Sequence, residues 1–481
     1  MSDKIPTQDI TPKDAAQNRK SPTTGGPQGD LYAKRQHIYV KLVKGFFQKL
    51  RTGTNWLLML GFFLVPFISW GDRQAVFFDI PSRQFHIFGT TFFPQDFMLL
   101  AWLLIILAFV LFFVTNFAGR VWCGYTCPQS VWTWLYIWVE EKTEGPPNKR
   151  KKLDKQPWGG EKVVRKTLKH FIWLIIALAT AAAFVGYFSP IRELLPRFFS
   201  FDLGPWELFW IGFFTFFTYL FAGWLREQVC IYMCPYARFQ GVMFDQDTLI
   251  VSYDPSRGEP RGPRKKSASL QETGLGHCID CDLCVQVCPV GIDIRNGLQY
   301  ECITCAACID VCDQVMDKME YPRGLIRYTT EEELNGRKTR ILRPRLIGYF
   351  TVLMVMIIAF SWALSNRVPL EMDIQRDRNQ LFRMTSDGLV ENSYRLGITN
   401  MTQAEQTYQL RLEGAETLQL QGAERYTLAA GESRQFSIRV QADPQALPEA
   451  PAINIEFHLE SEEDARLGAS RESRFILRSI R

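Results

Sequence analysis

The sequence predicts a mixed fold: an α-helical membrane domain of about five spans, a cysteine-rich insert between the fourth and fifth, and a C-terminal all-β sandwich. Three observations carry that reading. Five stretches of near-continuous apolar residues, at 55–70, 97–118, 170–189, 206–225 and 345–364, approach the length a helix needs to cross a bilayer. Eight of the 12 cysteines crowd into residues 278–312. After Ser365 the chain turns to short alternating segments broken by turn residues.

With 481 residues, 47% hydrophobic and 14% aromatic, the chain is long enough for several domains. The net charge is only +5, but basic residues cluster in particular loops, so their placement is the informative quantity; no nucleic-acid partner is expected. Residues 1–54 read as an N-terminal tail, polar and disordered to about residue 30, then a basic amphipathic interfacial helix from Tyr32 to Arg51. The first apolar segment lies too far in for a cleavable signal peptide. Residues 55–235 form the membrane domain with four spans, the first bent at Pro66; 236–343 the insert; 344–365 the fifth span; 366–481 the sandwich.

Lysine and arginine placement orients the spans. The loop at 119–169 carries Lys149, Arg150, Lys151, Lys152, Lys155, Lys162, Arg165, Lys166 and Lys169, while the loop at 71–96 has only Arg73 and Arg83 and that at 190–205 only Arg192 and Arg197. The N-terminus, the 119–169 loop and the insert are therefore expected in the cytoplasm, and the sandwich outside. The run at 149–152 is read as a topology determinant that touches anionic membrane lipid.

The insert reads Cys278-x2-Cys281-x2-Cys284-x3-Cys288-Pro289, then Cys302-x2-Cys305-x2-Cys308-x3-Cys312, with Asp313 in place of the second proline. This is bacterial ferredoxin spacing written twice. Two-residue gaps set three sulfurs around one cubane, and the fourth cysteine of each run reaches across to the other. Two 4Fe–4S clusters are expected, one on Cys278, Cys281, Cys284 and Cys312, the other on Cys302, Cys305, Cys308 and Cys288. Zinc sites use paired CxxC units instead, and a reducing cytosol disfavours disulfides. His277 adjoins the first run and either tunes a cluster or faces solvent.

The remaining cysteines form two matched motifs. Cys123-Gly-Tyr-Thr-Cys127-Pro128 follows the second span, and Cys230-Ile-Tyr-Met-Cys234-Pro235 follows the fourth, each preceded by an arginine, Arg120 or Arg226. The following proline disfavours helical backbone at Cys127 and Cys234 and starts a new helix, so each pair sits at a helix break. Soft thiolates suit copper(I), zinc or iron–sulfur centres, and Met233 adds a possible thioether. Buried structural cysteines are the plain alternative, and duplication at matched depth favours ligand or redox use.

Other candidates carry less. His86, near Asp79, reads as a hydrogen-bonded loop residue rather than a metal ligand. Only His170 borders a span, which leaves transmembrane haem without ligands. No GxGxxG run seats NAD or FAD. In the sandwich, Tyr394-Arg-Leu-Gly-Ile, Tyr408-Gln-Leu-Arg-Leu, Phe436-Ser-Ile-Arg-Val, Ile453-Asn-Ile-Glu-Phe and Phe475-Ile-Leu alternate as half-buried strands of an immunoglobulin-type fold, with His458 a surface or structural residue.

Taken together, Arg73-Gln-Ala-Val-Phe-Phe-Asp79-Ile-Pro, Phe85-His86-Ile-Phe-Gly, Pro94-Gln-Asp-Phe, Gly119-Arg-Val-Trp-Cys-Gly-Tyr-Thr-Cys-Pro-Gln and Cys230-Ile-Tyr-Met-Cys-Pro-Tyr-Ala-Arg-Phe-Gln resemble the FixG/RdxA/CcoG group, accessory proteins in assembly of C-type cytochrome oxidase. The resemblance spans nearly everything beyond residue 30. It implies a multi-pass protein of the bacterial inner membrane, with the C-terminal domain periplasmic, that reduces copper(II) to copper(I) for the oxidase. Copper handling would fall to Cys123, Cys127, Cys230 and Cys234. Expected partners are copper, an unidentified cytoplasmic electron donor, and copper chaperones or oxidase subunits. A quinol-linked electron conduit and an assembly scaffold are the alternatives.

Overall fold

The structure, a computed structural model, describes residues 37–71, 73–267, 270, 274–377, 381–414, 417–446, 450–464 and 466–477. The tail expected to be disordered lies outside these residues. The interfacial helix expected from Tyr32 to Arg51 is not formed as such: Tyr39–Lys44 is non-helical, and Lys41 N–H donates to Gln286 O of the insert.

The helical part comprises α1 (Phe46–Leu64), α2 (Phe97–Ala118), α3 (Val121–Tyr125), α4 (Pro128–Glu144), α5 (Pro147–Lys155), α6 (Gly160–Val185), α7 (Ile191–Phe199), α8 (Pro205–Thr218, continued by a π-helical turn to Leu225), α9 (Pro235–Met243), α10 (Ala307–Met319) and α11 (Pro344–Ser365). Among the described residues, four helices are long and apolar enough to cross a membrane: Pro94–Ala118, Gly160–Val185, Pro205–Leu225 and Pro344–Ser365. The segment expected at 55–70 is not one of them. Its helix starts earlier, at Phe46, so that its first half holds Lys49, Arg51 and Asn55, with Arg51 and Asn55 buried. Pro66 ends it in a 3₁₀ turn, as its missing N–H dictates.

α1 is tied to other elements at both ends. At its start, Phe47 and Gln48 N–H groups donate to Asp310 of α10, which satisfies two of the orphan donors of the first turn. At its end, Phe62 O accepts from Tyr187 and Phe67 O from Arg192.

The stretch at 119–169 is helical rather than a loop. α4 packs along α6 through paired bonds: Trp132 Nε1 to Thr180 Oγ1 (3.0 Å), Tyr136 Oη to Trp173 O (2.9 Å) and Trp173 Nε1 to Tyr136 O (3.1 Å). Its basic residues do not all face lipid. Arg150 is 1% exposed; it pairs with Glu140 (2.9 Å) and also donates to Val40 O. Lys169 and Lys166 reach Glu144 at 2.9 and 3.0 Å, and Lys166 reaches Asp154 at 2.6 Å. The positive run at 149–152 is therefore partly consumed by buried acids, because Glu140 and Glu144 lie on the inner face of α4 and need counter-ions there.

In the insert, Ile250–Tyr253 pairs antiparallel with Ile326–Thr329 beside α10, and Val251, Tyr253, Ile309, Met316, Leu325 and Ile326 form its core. The C-terminal domain has two antiparallel sheets. One orders Gln419–Gln421, Ser433–Ala442, Val390–Asn400 and Leu370–Arg376; the other Arg425–Leu428, Gln406–Glu413, Ala452–Ser461 and Gly468–Ile476. Alternation places Tyr394, Leu396 and Ile398 inward against Leu410, Phe457 and Phe475, as the pattern predicts. The segment at 73–96 docks on this domain: Gln84 donates to Gly431 O, Gln403 to Thr91 Oγ1, and Arg367 grips Asp96.

Candidate metal centre

The two cysteine runs fold into loops with the same backbone signature. Asp280 and Asp282 in the first, and Thr304 and Ala306 in the second, all take left-handed conformations, with φ of 52°, 55°, 48° and 59°. Such residues turn successive N–H groups inward, which makes a concave seat for a negatively charged group. Arg295 fastens the first loop, bonding Asp280 (2.6 Å), Asp282 (2.6 Å) and Asp293 (2.8 Å). The second has no acid at the matching places. It is held by Tyr328 Oη donating to Thr304 O (2.6 Å) and Arg120 Nη1 donating to Tyr300 O (2.7 Å).

Two cavities result. One is lined by Cys278, Cys281, Cys284 and Cys312 with Val311, Val315 and Leu325. The other is lined by Cys288, Cys302, Cys305 and Cys308 with Ile292, Ile303 and Ala306, and Cys284 touches it from the first loop. The fourth cysteine of each run has crossed over. Burial pushes the thiols of Cys284, Cys288, Cys302 and Cys312 up to about 12, with neighbouring sulfurs adding to the shift. Four thiolates in so apolar a cavity are tolerable only around a strongly cationic core, and that donor set fits an iron–sulfur cubane.

The CxxxCP motifs behave as the prolines dictate. Cys127 (ψ 127°) and Cys234 (ψ 112°) are extended, and Pro128 and Pro235 open α4 and α9. The second motif lies in the π-helical turn Val229–Met233, which follows that at Tyr219–Leu225, the two being separated at Arg226 by a left-handed residue (φ 45°). Arg226 is tied down by Glu140 (2.7 Å) and by its own Nε to Gly223 O (2.8 Å). The four thiols lie within electrostatic reach of one another: burial pushes Cys230 up to about 12, with Cys127, Cys123 and Cys234 adding to it, and burial raises Cys127 as well.

The two thiol groups abut. Cys123 shares one buried apolar cluster with Val287, Cys288, Ile303 and Cys305. A Cβ at Gly124 would lie 2.6 Å from Ile303 O and 3.0 Å from Cys305 Cα, so only glycine permits this approach. Buried Gln240 sits beside Cys123, Nε2 to Sγ 3.6 Å. Gly124, Gln240 and Arg120 were inside the quoted motifs without a role; their positions across from Cys305, Cys123 and Tyr300 are long-range facts that local pattern does not encode.

Other candidates separate from this group. Met233 is 54% exposed, unlike the thiols, which leaves its thioether on the surface. His277 packs on Tyr321 and accepts from Arg257 Nε. His86, on a strand, bonds Thr91 at the sandwich end, His170 bonds Tyr219, and His458 pairs with Glu413. Among the described residues no group of three or more His, Cys, Asp or Glu closes tightly enough to hold a single metal ion.

Comparison with known proteins agrees with this architecture. Residues 225–331 match the 4Fe-4S dicluster domain family, and residues 360–478 match the IG-like fold at the C-terminus of FixG. The nitrogen fixation protein FixG of Rhizobium meliloti is 39% identical over 460 residues, 86% of either chain. Protein RdxA of Cereibacter sphaeroides is 40% identical over 81% of this chain and 84% of its own. A crystal structure of a FixG-related protein from Vibrio parahaemolyticus aligns at 33% identity over 22% of this chain and 95% of its own, with a TM-score of 0.21. With a dicluster domain, membrane-length helices, the C-terminal sandwich and relatives matched over most of their length, the chain belongs to the FixG/RdxA family.

Proposed function

We propose that this iron–sulfur membrane oxidoreductase reduces copper(II) to copper(I), in support of copper delivery to a C-type cytochrome oxidase. Cys278, Cys281, Cys284 and Cys312 hold one 4Fe–4S cluster, and Cys302, Cys305, Cys308 and Cys288 the other. When bound, these clusters supply one-electron transfer. Copper is the substrate, received by Cys123, Cys127, Cys230 and Cys234, whose soft sulfurs favour the monovalent ion.

The observation that carries this reading is the packing of Cys123 and Gly124 on Cys288, Ile303 and Cys305. Cys123 thus lies in the same buried cluster as Cys288 and Cys305, and the extended backbone at Cys127 and Cys234 sets each CxxxCP pair at a helix break. The insert faces the cytoplasm, where an unidentified donor docks, and the sandwich faces the periplasm, where chaperones or oxidase subunits meet it; the basic residues of the insert end support this orientation.

Anaerobic purification with iron analysis, then copper(II) addition to the dithionite-reduced protein with a copper(I)-specific dye, tests it. The Cys123→Ser/Cys230→Ser double variant should lose copper reduction and keep cluster absorbance. Undiminished reduction in that variant removes the assignment. A quinol-linked conduit has one observation in its favour: an apolar groove between α6 and α8 with the Tyr219–His170 pair at its wall. Cluster reduction by a soluble quinol, with no copper dependence of turnover, would select it.

A further inference from the structure

A further cavity, about 450 Å³ in volume, opens to the surface beside Cys230. Its wall includes Arg120, Cys230, Tyr232, Arg238, Tyr300 and Glu301, contributed by the turn after α2, the second CxxxCP motif, α9 and the approach to the second cysteine run. Two guanidinium groups therefore face one carboxylate. Arg120 is 4% exposed, and although its Nη1 donates to Tyr300 O at 2.7 Å, its Nε is buried with no hydrogen-bond partner. Arg238 is exposed and makes no ion pair among the described residues.

We propose that copper reaches Cys230 through this cavity as an anionic chelate, its carboxylate oxygens docking on Arg120 and Arg238, and not as the bare dication. The inference rests on the copper reading above and names the form of its substrate. A hydrated dication entering past two guanidinium groups is repelled, whereas a carboxylate-bearing complex meets planar donors matched to its oxygens. One electron, drawn from the side of the Cys302 set, converts copper(II) to copper(I). Copper–oxygen bonds break, copper–sulfur bonds form at Cys230, the thiol proton leaves to water and the free chelator departs.

The test uses full-length, cluster-loaded protein, pre-reduced with dithionite and freed of its excess, mixed with two copper(II) complexes of opposite charge, the nitrilotriacetate anion and the bis-ethylenediamine cation, with KM and kcat read as the half-saturation and limiting rate of cluster reoxidation. The wild type should show the lower KM for the anion. Arg238→Glu should raise that KM about fivefold, with kcat, cluster absorbance and the KM for the cation not raised. Zinc nitrilotriacetate, which cannot be reduced, should bind the wild type more tightly than Arg238→Glu in equilibrium dialysis. Equal KM values for the two complexes, or an equal rise for both in the variant, would overturn the inference. So would a variant that binds zinc nitrilotriacetate unchanged but loses affinity for phosphatidylglycerol vesicles, which assigns the cavity to a lipid headgroup. If the wild type reduces neither complex, the copper reading itself fails, while the zinc chelate still reports whether the cavity takes a carboxylate anion.

Discussion

Gly124→Ala tests the junction between the two thiol sets. The added methyl would stand 2.6 Å from Ile303 O, 3.0 Å from Cys305 Cα and 3.1 Å from Cys305 N. Ordinary van der Waals contact begins at 3.4 Å, so the worst overlap is about 0.8 Å. None of the three atoms belongs to a side chain that can swing away. Cys305 is also pinned between left-handed Thr304 and Ala306, and Thr304 O is held by Tyr328. Overpacking of this kind costs about 1–3 kcal/mol, and relief comes only by parting the two loops. The expected result is a lower thermal midpoint, an altered electron paramagnetic resonance signal from the Cys302 set with that from the Cys278 set unchanged, and slower copper reduction. Gly53→Ala, in α1 with nothing within 4 Å of the new methyl, is the control and should be neutral or slightly stabilising. Wild-type stability and an unperturbed signal in Gly124→Ala would refute the direct contact and, with it, the proposed electron route.

Three further outcomes follow from the packing. Cys288→Ser should remove the signal that Cys302→Ser removes, whereas Cys312→Ser should remove the other, each lowering iron from about eight to about four atoms per chain; signals lost in sequence order instead would contradict the crossed ligand sets. Burial by itself would raise the pKa of Glu140, but Arg226, Lys169 and Arg150 hold it below the ordinary carboxylate value of 4.5. Its stabilisation is therefore full at neutral pH and declines as pH falls below that value. Glu140→Gln should cost about 3–5 kcal/mol near pH 7, and melting curves should show the gap to wild type constant above the ordinary carboxylate value and narrowing only below it; a gap independent of pH would argue against charge as its source. Arg367 bonds Asp96 at 2.8 Å and Thr91 O at 3.1 Å. Arg367→Ala should weaken the docking of the 73–96 segment by about 2 kcal/mol, seen as faster protease cleavage between 366 and 481; an unchanged digestion rate would exclude this latch.

Much of the architecture was legible because it is written in local periods. Apolar runs marked α2, α11 and the Pro205–Leu225 span to within a residue or two, and alternation marked the sandwich strands around Tyr394, Tyr408, Phe436, Ile453 and Phe475. The proline after each CxxxC motif correctly placed a helix start. The failures share a cause. α1 begins at Phe46 because Asp310, far along the chain, caps it, and the helices at 119–169 form because buried Glu140 and Glu144 find cations on α5, α6 and beyond α8. The strands of 73–96 are short and pair only within a segment that docks on the sandwich.

The amino-acid sequence by itself determined the donor chemistry: eight cysteines at cubane spacing, four more in duplicated CxxxCP motifs, and apolar stretches of membrane length. These are one-dimensional properties, since ligand spacing and hydrophobic period act over a few residues. Only the tertiary structure decided that Gly124 lets the first CxxxCP loop touch the Cys305 backbone, and that Arg120 spans from the end of α2 to the second cysteine run. Those pairings join residues more than a hundred positions apart, and they arise from close packing of surfaces that no local pattern brings together.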